Sequence, residues 1–219
     1  MGLAENLLQV KKEIARSCQK AGRAADSVKL VVVSKNEEAA KINELMNAGQ
    51  LDFGENRLQE LEEKAGQVSG VNWHFVGHLQ TNKAKPVVEL CDMIHSVDSL
   101  KLIRKIHSTA QEIDKVQKIL LEVNVSGEET KFGFKPHELS PLLDTLKQLP
   151  FSNVRIAGLM TMAPLTEPEK TRIVFRQLSS IAQELHLREL SMGMTNDYKV
   201  AIEEGSTIVR IGTAVFSGI

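Results

Sequence analysis

The sequence predicts a single (β/α)8 barrel of the TIM type, and two observations support that prediction. Short apolar, β-branched runs alternate with amphipathic segments of helical length along the whole chain, as in parallel strands connected by helices. About eight such units fit into the 219 residues, and eight is the number that closes a barrel. The alternative is an open, doubly wound sheet, which usually carries a glycine-rich turn after its first strand. Ser34, Lys35 and Asn36 stand there instead, so we favour the barrel.

The chain begins with an amphipathic helix at about 3–21, and Gly22 is expected to end it. Its apolar stripe is Leu3, Leu7, Val10, Ile14 and Cys18. The predicted strands are Val28–Ser34, Leu51–Phe53, Val71–Val76, Met93–Val97, Ile119–Val125, Val154–Met160, Leu187–Met192 and Thr207–Ile211. The predicted helices after them are Glu38–Ala48, Arg57–Lys64, Asn82–Leu90, Ser99–Ile113, Pro136–Gln148, Lys170–His186 and Asp197–Glu204. Pro86 is expected to interrupt its helix, Ile173 to face inward and Lys64 to lie on a solvated face. We expect one domain over residues 1–219, since no linker-like segment interrupts the pattern.

Composition excludes several classes of protein. The formal net charge is -1 and basic residues are scattered, so we expect no binding to nucleic acid or to an anionic membrane. No apolar stretch approaches the length of a membrane span, and the amino terminus does not resemble a signal peptide. Two distant cysteines, Cys18 and Cys91, indicate a reducing compartment, which we take to be the cytoplasm. His74 and His78 have no companion carboxylate or cysteine cluster, so we expect no metal site.

Lys35 is the first candidate functional residue. It follows the buried run at 30–33, at the strand end where parallel α/β folds place their chemistry. Partial burial would favour its free amine, which attacks carbonyl groups and forms Schiff bases. A lysine that only extends into solvent is the alternative. Ser34 lacks an evident His/Asp partner set, so we do not expect a serine nucleophile.

The segments after the last two strands are the second candidate feature. Ser191–Thr195 and Gly212–Thr213 supply hydroxyl groups and accessible backbone N–H groups, where barrels commonly hold a phosphate. A lysine that faces a phosphate site across a barrel mouth fits pyridoxal 5'-phosphate (PLP), an aldehyde that carries a phosphate.

The residues also resemble a known family, the PLP homeostasis proteins (YggS/PROSC-like). The matching segments run in order along nearly the whole chain: 32–35, 53–57, 74–83, 95–99, 123–128, 131–133, 158–162, 191–194 and 209–213. The resemblance implies a fold-type III PLP-binding barrel like the N-terminal domain of alanine racemase. It implies that Lys35 forms the internal aldimine. Two positions depart from the family pattern: Asn36 replaces the usual threonine, and Thr195 replaces a serine but keeps the hydroxyl.

The same resemblance implies roles for the other site residues. Arg210 would face the pyridine nitrogen, and Asn56 would line the ring. The phosphate would be held by Ser191, Gly212 and Thr213. Three further residues, His78, Met160 and Met194, would line the pocket.

An arginine at the pyridine nitrogen makes the ring a poor electron sink, because its charge disfavours protonation of that nitrogen. A racemase also uses a tyrosine from a second domain, whereas this chain ends after its last strand and has Tyr198 alone. We therefore expect a PLP carrier in vitamin B6 and amino-acid homeostasis rather than an efficient enzyme. A PLP-dependent amino-acid racemase with Lys35 as base is the alternative, and a Schiff-base aldolase without cofactor is a third hypothesis. We expect a monomer, with apo-enzymes or a regulatory protein as further partners.

Overall fold

The computed structural model describes residues 2–128, 131–149 and 151–218, and its centre is a closed barrel. Eight parallel strands pair in chain order, and the first strand also pairs with the last. The strands are β1 Lys29–Val33, β2 Asp52–Glu55, β3 Asn72–Phe75, β4 Met93–Val97, β5 Gln117–Glu122, β6 Val154–Met160, β7 Glu189–Ser191 and β8 Ile208–Ile211. The predicted (β/α)8 barrel is confirmed, and the open-sheet alternative is wrong.

Helices connect the strands and surround the barrel. They are α1 Leu3–Lys20, α2 Ala39–Asn47, α3 Leu58–Ala65, α4 Ala84–Leu90, α5 Leu100–Glu112, α6 Leu139–Lys147, α7 Arg172–Glu184, α8 Tyr198–Glu203 and α9 Thr213–Phe216. Short 3-10 turns precede three of them, at Thr81–Lys83, Pro136–Glu138 and Pro168–Thr171. None of the helices described is long and apolar enough to cross a membrane.

Strand residues alternate between two apolar layers. One face of each strand joins the large core between the barrel and the helices, as Val32 and Phe53 do. The other face points into the barrel, where a separate small cluster packs. That inner cluster consists of Val31, Met93, Leu120, Met160 and Ile208. The alternation therefore sorts the polar strand residues into an inner set and an outer set.

Helix α1 closes one side of the molecule, as its apolar stripe predicts. Leu7, Val10, Ile14 and Cys18 are buried in the large core, and Gly22 follows with a positive φ of 68°. The Asn6 side chain donates to the carbonyl oxygen of Val215, which attaches α1 to α9. Cys18 is thus a core residue.

Three local predictions are wrong. Ile173 is exposed, because the buried face of α7 is formed by its neighbours Val174, Phe175 and Leu178. Pro86 does not interrupt α4; it lies in the first turn, where a missing N–H is tolerated. Lys64 is only 5% exposed, because three oxygen atoms surround its ammonium group.

Candidate functional site

Lys35 lies at the carboxyl end of the barrel, two residues after β1. Its side chain is exposed and makes no hydrogen bond or ion pair with the residues described. The turn that carries it is tight: the Glu37 N–H donates to the Ser34 carbonyl oxygen (3.1 Å), and Asn36 has a φ of 62°. Continuing the alternation of β1 by two residues from Val33 puts Lys35 on the barrel side of the chain. The predicted position at the mouth is observed.

Asn56 follows β2, the strand beside β1, and it contains an unusual atom. Its side-chain oxygen Oδ1 is buried and has no hydrogen-bond partner among the residues described. Gly77 lies directly against the backbone of Asn56, since a Cβ on Gly77 would be 2.1 Å from the Asn56 carbonyl oxygen. A buried amide oxygen without a partner is costly unless a ligand or water satisfies it.

Gly212 and Thr213 follow β8 on the other side of β1. A Cβ on Gly212 would be 2.8 Å from the Val33 carbonyl oxygen, so only glycine allows this close approach of the two strand ends. Thr213 is exposed at this end of the barrel. Strand pairing therefore brings Lys35, Asn56 and Gly212 to three adjacent strand ends, as predicted.

Arg210 lies inside the barrel below this rim. Its guanidinium is almost fully buried; Nη1 donates to Ser191 Oγ (2.6 Å) and Nη2 donates to the Thr161 carbonyl oxygen (3.0 Å). Burial lowers the pKa of Arg210 to about 10, while the charges of Glu122 and Asp197 act in the opposite direction. At neutral pH the group remains a cation with N–H donors to spare.

Glu122 is the buried acid that faces this arginine. Burial and the nearby charge of Asp98 raise the pKa of Glu122 to about 7, and the charge of Arg210 offsets part of that shift. The barrel interior thus contains one strongly basic group and one carboxyl group that titrates near neutrality.

Ser191 begins a hydrogen-bonded chain that crosses the barrel interior. Its Oγ lies 2.8 Å from His95 Nδ1, and His95 Nε2 lies 2.9 Å from His74 Nδ1. His74 Nε2 lies 3.0 Å from Asp52 Oδ1. We call these residues, with Arg210, the inner chain. Burial, assisted by the positive charge of Arg210, holds the pKa of His95 well below its ordinary value, so His95 is neutral.

The inner chain has one direction. Arg210 can only donate, so Ser191 accepts from it and passes its own O–H to His95 Nδ1. His95 then carries its proton on Nε2 and donates to His74, which donates from its own Nε2 to Asp52. Burial would raise the pKa of Asp52, but the His74 hydrogen bond and the Lys29 charge lower it to about 2, so this residue is an acceptor. The tautomers of His95 and His74 are assigned from the donor at one end of the chain, Arg210, and the acceptor at the other end, Asp52.

The remaining candidates lie around the mouth. Met160 is fully buried in the inner cluster, and Met194 is half-exposed after β7. His78 is at the rim, with Nδ1 3.3 Å from Asp98 Oδ2 and its ring stacked on Phe132 at 3.7 Å between centroids. This stack connects the loop after β3 to the segment that precedes α6.

Sequence analysis missed the inner chain. The sequence offers His74 only as a rejected metal ligand and within the matching segment 74–83, and His95 only within the matching segment 95–99, whereas both side chains are buried inside the barrel. A sequence signal for His74 and His95 does exist. Each is a polar residue at a matching position of an apolar strand, 72–75 and 93–97. Within the residues described, no three His, Cys, Asp or Glu side chains group as metal ligands would.

Ser34 and Lys64 belong to a second buried network, on the outer face of β1 and β2. The Ser34 hydroxyl donates to Glu55 Oε1 (2.7 Å), and Lys64 Nζ donates to the same oxygen (2.8 Å). Burial raises the pKa of Glu55, against the effect of these two hydrogen bonds. Ser34 is therefore a structural hydroxyl that points away from the mouth.

Comparisons with known proteins show the family to which the chain belongs. The model of the family "Alanine racemase, N-terminal domain" matches residues 9–218. The pyridoxal phosphate homeostasis protein of Aquifex aeolicus is 43% identical over 99% of this chain and 98% of its own. The protein of the same name from Pseudomonas aeruginosa is 41% identical over 98% and 94%.

Solved structures give the same result. PipY of Synechococcus elongatus with PLP bound superposes with a TM-score of 0.86 at 36% identity, covering 99% of this chain and 100% of that one. Alanine racemase of Clostridium difficile has a TM-score of 0.73 at 16% identity, covers 98% of this chain and 56% of that one, and shows the fold alone. The chain therefore belongs to the pyridoxal phosphate homeostasis proteins, within the alanine racemase N-terminal domain family.

Proposed function

We propose that this protein holds PLP at the barrel mouth through Lys35 and serves in PLP homeostasis. The observation that carries the proposal is the arrangement of three adjacent strand ends. Lys35 lies between Asn56, whose buried amide oxygen has no partner, and Gly212, with Arg210 buried beneath them. The names of the relatives and the PLP-bound PipY structure support the same ligand.

The residues present fit the parts of PLP. When bound, PLP supplies an aldehyde that condenses with an amine and loses water. Lys35 provides an amine without another partner among the residues described, and Asn56 provides an unsatisfied acceptor beside it. Arg210 has N–H groups left for the pyridine nitrogen and, as a cation, disfavours its protonation.

The phosphate end is assigned to the ends of β7 and β8. Gly212 lets the backbone after β8 lie close to the Val33 carbonyl oxygen of β1, and Thr213 is an exposed residue that carries a hydroxyl group. Ser191 is buried and its hydroxyl is already shared between His95 and Arg210, so we propose that it serves the cofactor by holding Arg210. His78, Met160 and Met194 are proposed to line the remaining wall.

The arrangement favours a carrier over an efficient enzyme. Tyr198, the only tyrosine, is buried in the large core on α8, whose Lys199 binds Glu13 of α1. Burial raises the pKa of the Tyr198 phenol, so the phenol remains protonated at neutral pH and is not available as a base. The tyrosine is thus not available at the mouth as a second acid–base group.

A racemase remains the second candidate, because the rim contains one other proton-transfer pair. His78 lies 3.3 Å from Asp98, and an imidazole oriented by a carboxylate can act as a base. Racemisation of L-amino acids by the PLP-loaded protein, lost in His78→Phe, would establish this function. We expect no appreciable turnover.

Visible absorption with and without borohydride tests PLP binding. PLP-loaded wild-type protein should show a visible band that borohydride abolishes, and Lys35→Ala should lose it. Lys101→Ala, a change at an exposed lysine of α5, should leave the band intact. No band in the wild type after incubation with PLP would overturn the proposal and favour a barrel that acts without cofactor.

We further propose that the protein works as a monomer in the reducing cytoplasm and passes PLP to apo-enzymes. Both cysteines, Cys18 and Cys91, are free and buried, which suits a reducing compartment. Light scattering should give the mass of one chain. A PLP-dependent apo-enzyme mixed with the loaded protein should gain activity faster than with an equal concentration of Lys35→Ala plus free PLP.

A further inference from the structure

The buried lysine on α3 lies directly beneath the turn that carries Lys35. Lys64 Nζ donates to the Ser34 carbonyl oxygen (2.7 Å), to Glu55 Oε1 (2.8 Å) and to Glu60 Oε2 (3.0 Å). An ammonium group has three N–H donors, and all three are used. We call Lys64, Glu55 and Glu60 the Lys64 cluster.

The Lys64 cluster binds both peptide units that flank the Cα atom of Lys35. The Ser34 carbonyl belongs to the preceding unit and accepts from Lys64. The Asn36 N–H belongs to the following unit and donates to Glu60 Oε2 (2.7 Å). With both peptide planes held from α3, the backbone dihedral angles of Lys35 and the direction of its Cα–Cβ bond are fixed.

The conformation of the turn is compatible with this restraint. Asn36 has a φ of 62°, in the left-handed region that asparagine adopts more readily than most residues other than glycine. The Lys35 side chain has no partner of its own within the residues described, so the backbone, which fixes the Cα–Cβ direction, supplies the restraint on where the flexible side chain can reach. Buried ion pairs are often no more stabilising than apolar replacements, so fold stability is a weak explanation for this cluster.

We propose that Lys64 and Glu60 are positioning residues that aim the Lys35 amine into the barrel mouth. This inference rests on the proposed function, in which Lys35 is the amine that binds PLP. Orientation governs formation of the covalent bond, and misplacing a reacting group by about 1 Å can slow a reaction by about 100-fold. The contacts proposed for the phosphate and the pyridine nitrogen come from the ends of β7 and β8, which carry no member of the Lys64 cluster, whereas Asn56 directly follows Glu55.

Two variants test the two sides of the turn separately. Lys64→Met combined with Glu55→Gln releases the Ser34 carbonyl, leaves no unpaired charge at Glu55 and keeps an acceptor for the Ser34 hydroxyl. Glu60→Ala releases the Asn36 N–H while Lys64 keeps Ser34 and Glu55. Glu60→Gln retains an oxygen for Asn36 and serves as the rescue. Lys41→Met, which breaks the exposed pair with Glu37, is the matched control.

The measurements are the rate of formation of the borohydride-reducible band and the noncovalent affinity for pyridoxine 5'-phosphate, which has an alcohol in place of the aldehyde. We expect Glu60→Ala and the double variant to form the band about tenfold more slowly or worse, with Glu60→Gln and Lys41→Met near wild type. Affinity for the alcohol analogue should stay within about twofold in every variant.

Unchanged band formation in both variants would overturn the inference. Equal losses of band formation and of analogue affinity would also overturn it, because the site would then have collapsed as a whole. If the double variant fails to fold, Glu60→Ala decides alone, since the Glu60 side chain is partly exposed. Absence of the band in wild-type protein would overturn the proposed function, and this inference with it.

Discussion

The Lys64 cluster and the inner chain lie on opposite sides of the same barrel wall. The cluster is charged, lies between the strands and α3, and binds the backbone on either side of Lys35. The inner chain lies inside the barrel, contains a neutral His95, and ends on the side chain of Arg210. The two residues assigned to opposite parts of PLP are therefore held in two physically different ways.

This contrast indicates which of the two networks contributes more to the stability of the fold. Among the residues described, the side chains of His74, His95 and Ser191 bond only to their neighbours in the inner chain, so the loss of one of these three leaves buried polar atoms unsatisfied on both sides. In the Lys64 cluster the lysine and glutamate charges compensate each other, so replacing Lys64 and Glu55 together leaves few charged groups without a partner. Damage to the first should reduce stability, whereas damage to the second should reduce reactivity.

A large effect on stability is expected from His95→Leu. This change strands the Ser191 hydroxyl and His74 Nδ1 in an apolar interior, and two such groups should lower the free energy of unfolding by about 3 kcal/mol. Urea denaturation at neutral pH measures it, with His137→Leu at an exposed position as control. A loss below about 1 kcal/mol would contradict the interdependence of the inner chain.

Glu122→Gln should change how stability depends on pH. The pKa of Glu122 is raised from 4.5 to about 7, so the native protein binds more protons than the unfolded chain between these values. Stability should fall as pH rises through that window, by up to about 3 kcal/mol, and the glutamine variant should lack this fall. Urea denaturation from pH 4.5 to 8, with Glu44→Gln as exposed control, checks the slope. An identical slope in wild type and variant would show that Glu122 is ionised throughout.

Asp52→Asn should remove the negative charge at the end of the inner chain while keeping an acceptor oxygen there. The pKa of Asp52 is lowered from 3.8 to about 2. The ionised carboxylate therefore stabilises the native state at pH values above 3.8, and this stabilisation is lost as the pH falls through about 2. The variant should be less stable at neutral pH by about 2 kcal/mol, and the difference should vanish in acid. Thermal denaturation across this range measures it beside Asp144→Asn, a change in an exposed ion pair. A constant difference at every pH would rule out the titration of Asp52 as its cause.

The smallest effect on stability is expected from the double change Lys64→Met with Glu55→Gln. Replacing a buried ion pair as a unit is often neutral, so the free energy of unfolding should change by less than about 1 kcal/mol. The single change Lys64→Met leaves buried carboxylates uncompensated and should lose about 3 kcal/mol. Chemical denaturation of both distinguishes them. Equal losses in the two variants would mean that the lysine stabilises the fold directly.

Sequence patterns predicted the barrel and the rim because both depend on local order. Each apolar run is a strand, and the residue that follows a strand must lie at the mouth, so Lys35, Asn56 and Gly212 could be placed from spacing alone. The inner chain depends instead on side chains from five strands that meet only when the barrel closes. The positions of His74 and His95 become meaningful once β3 and β4 are paired.

The Lys64 error has a similar origin. A run of two glutamates and a lysine on a helix is usually solvated, and nothing in its periodicity marks one charge as buried. The burial follows from β2, which presents Glu55 on its outer face toward α3. Ile173 shows the converse, since an apolar residue at the edge of a helical stripe can remain exposed without a tertiary partner.

Peptide mapping of the reduced PLP adduct tests directly whether Lys35 is the lysine that binds PLP. Wild-type protein is loaded with PLP, treated with borohydride, digested and analysed by mass spectrometry. We predict that the cofactor mass is found on the peptide containing Lys35 and not on Lys64 or the surface lysines. Cofactor mass on another lysine, with Lys35 unmodified, would contradict the assignment of the site and the role proposed for the Lys64 cluster.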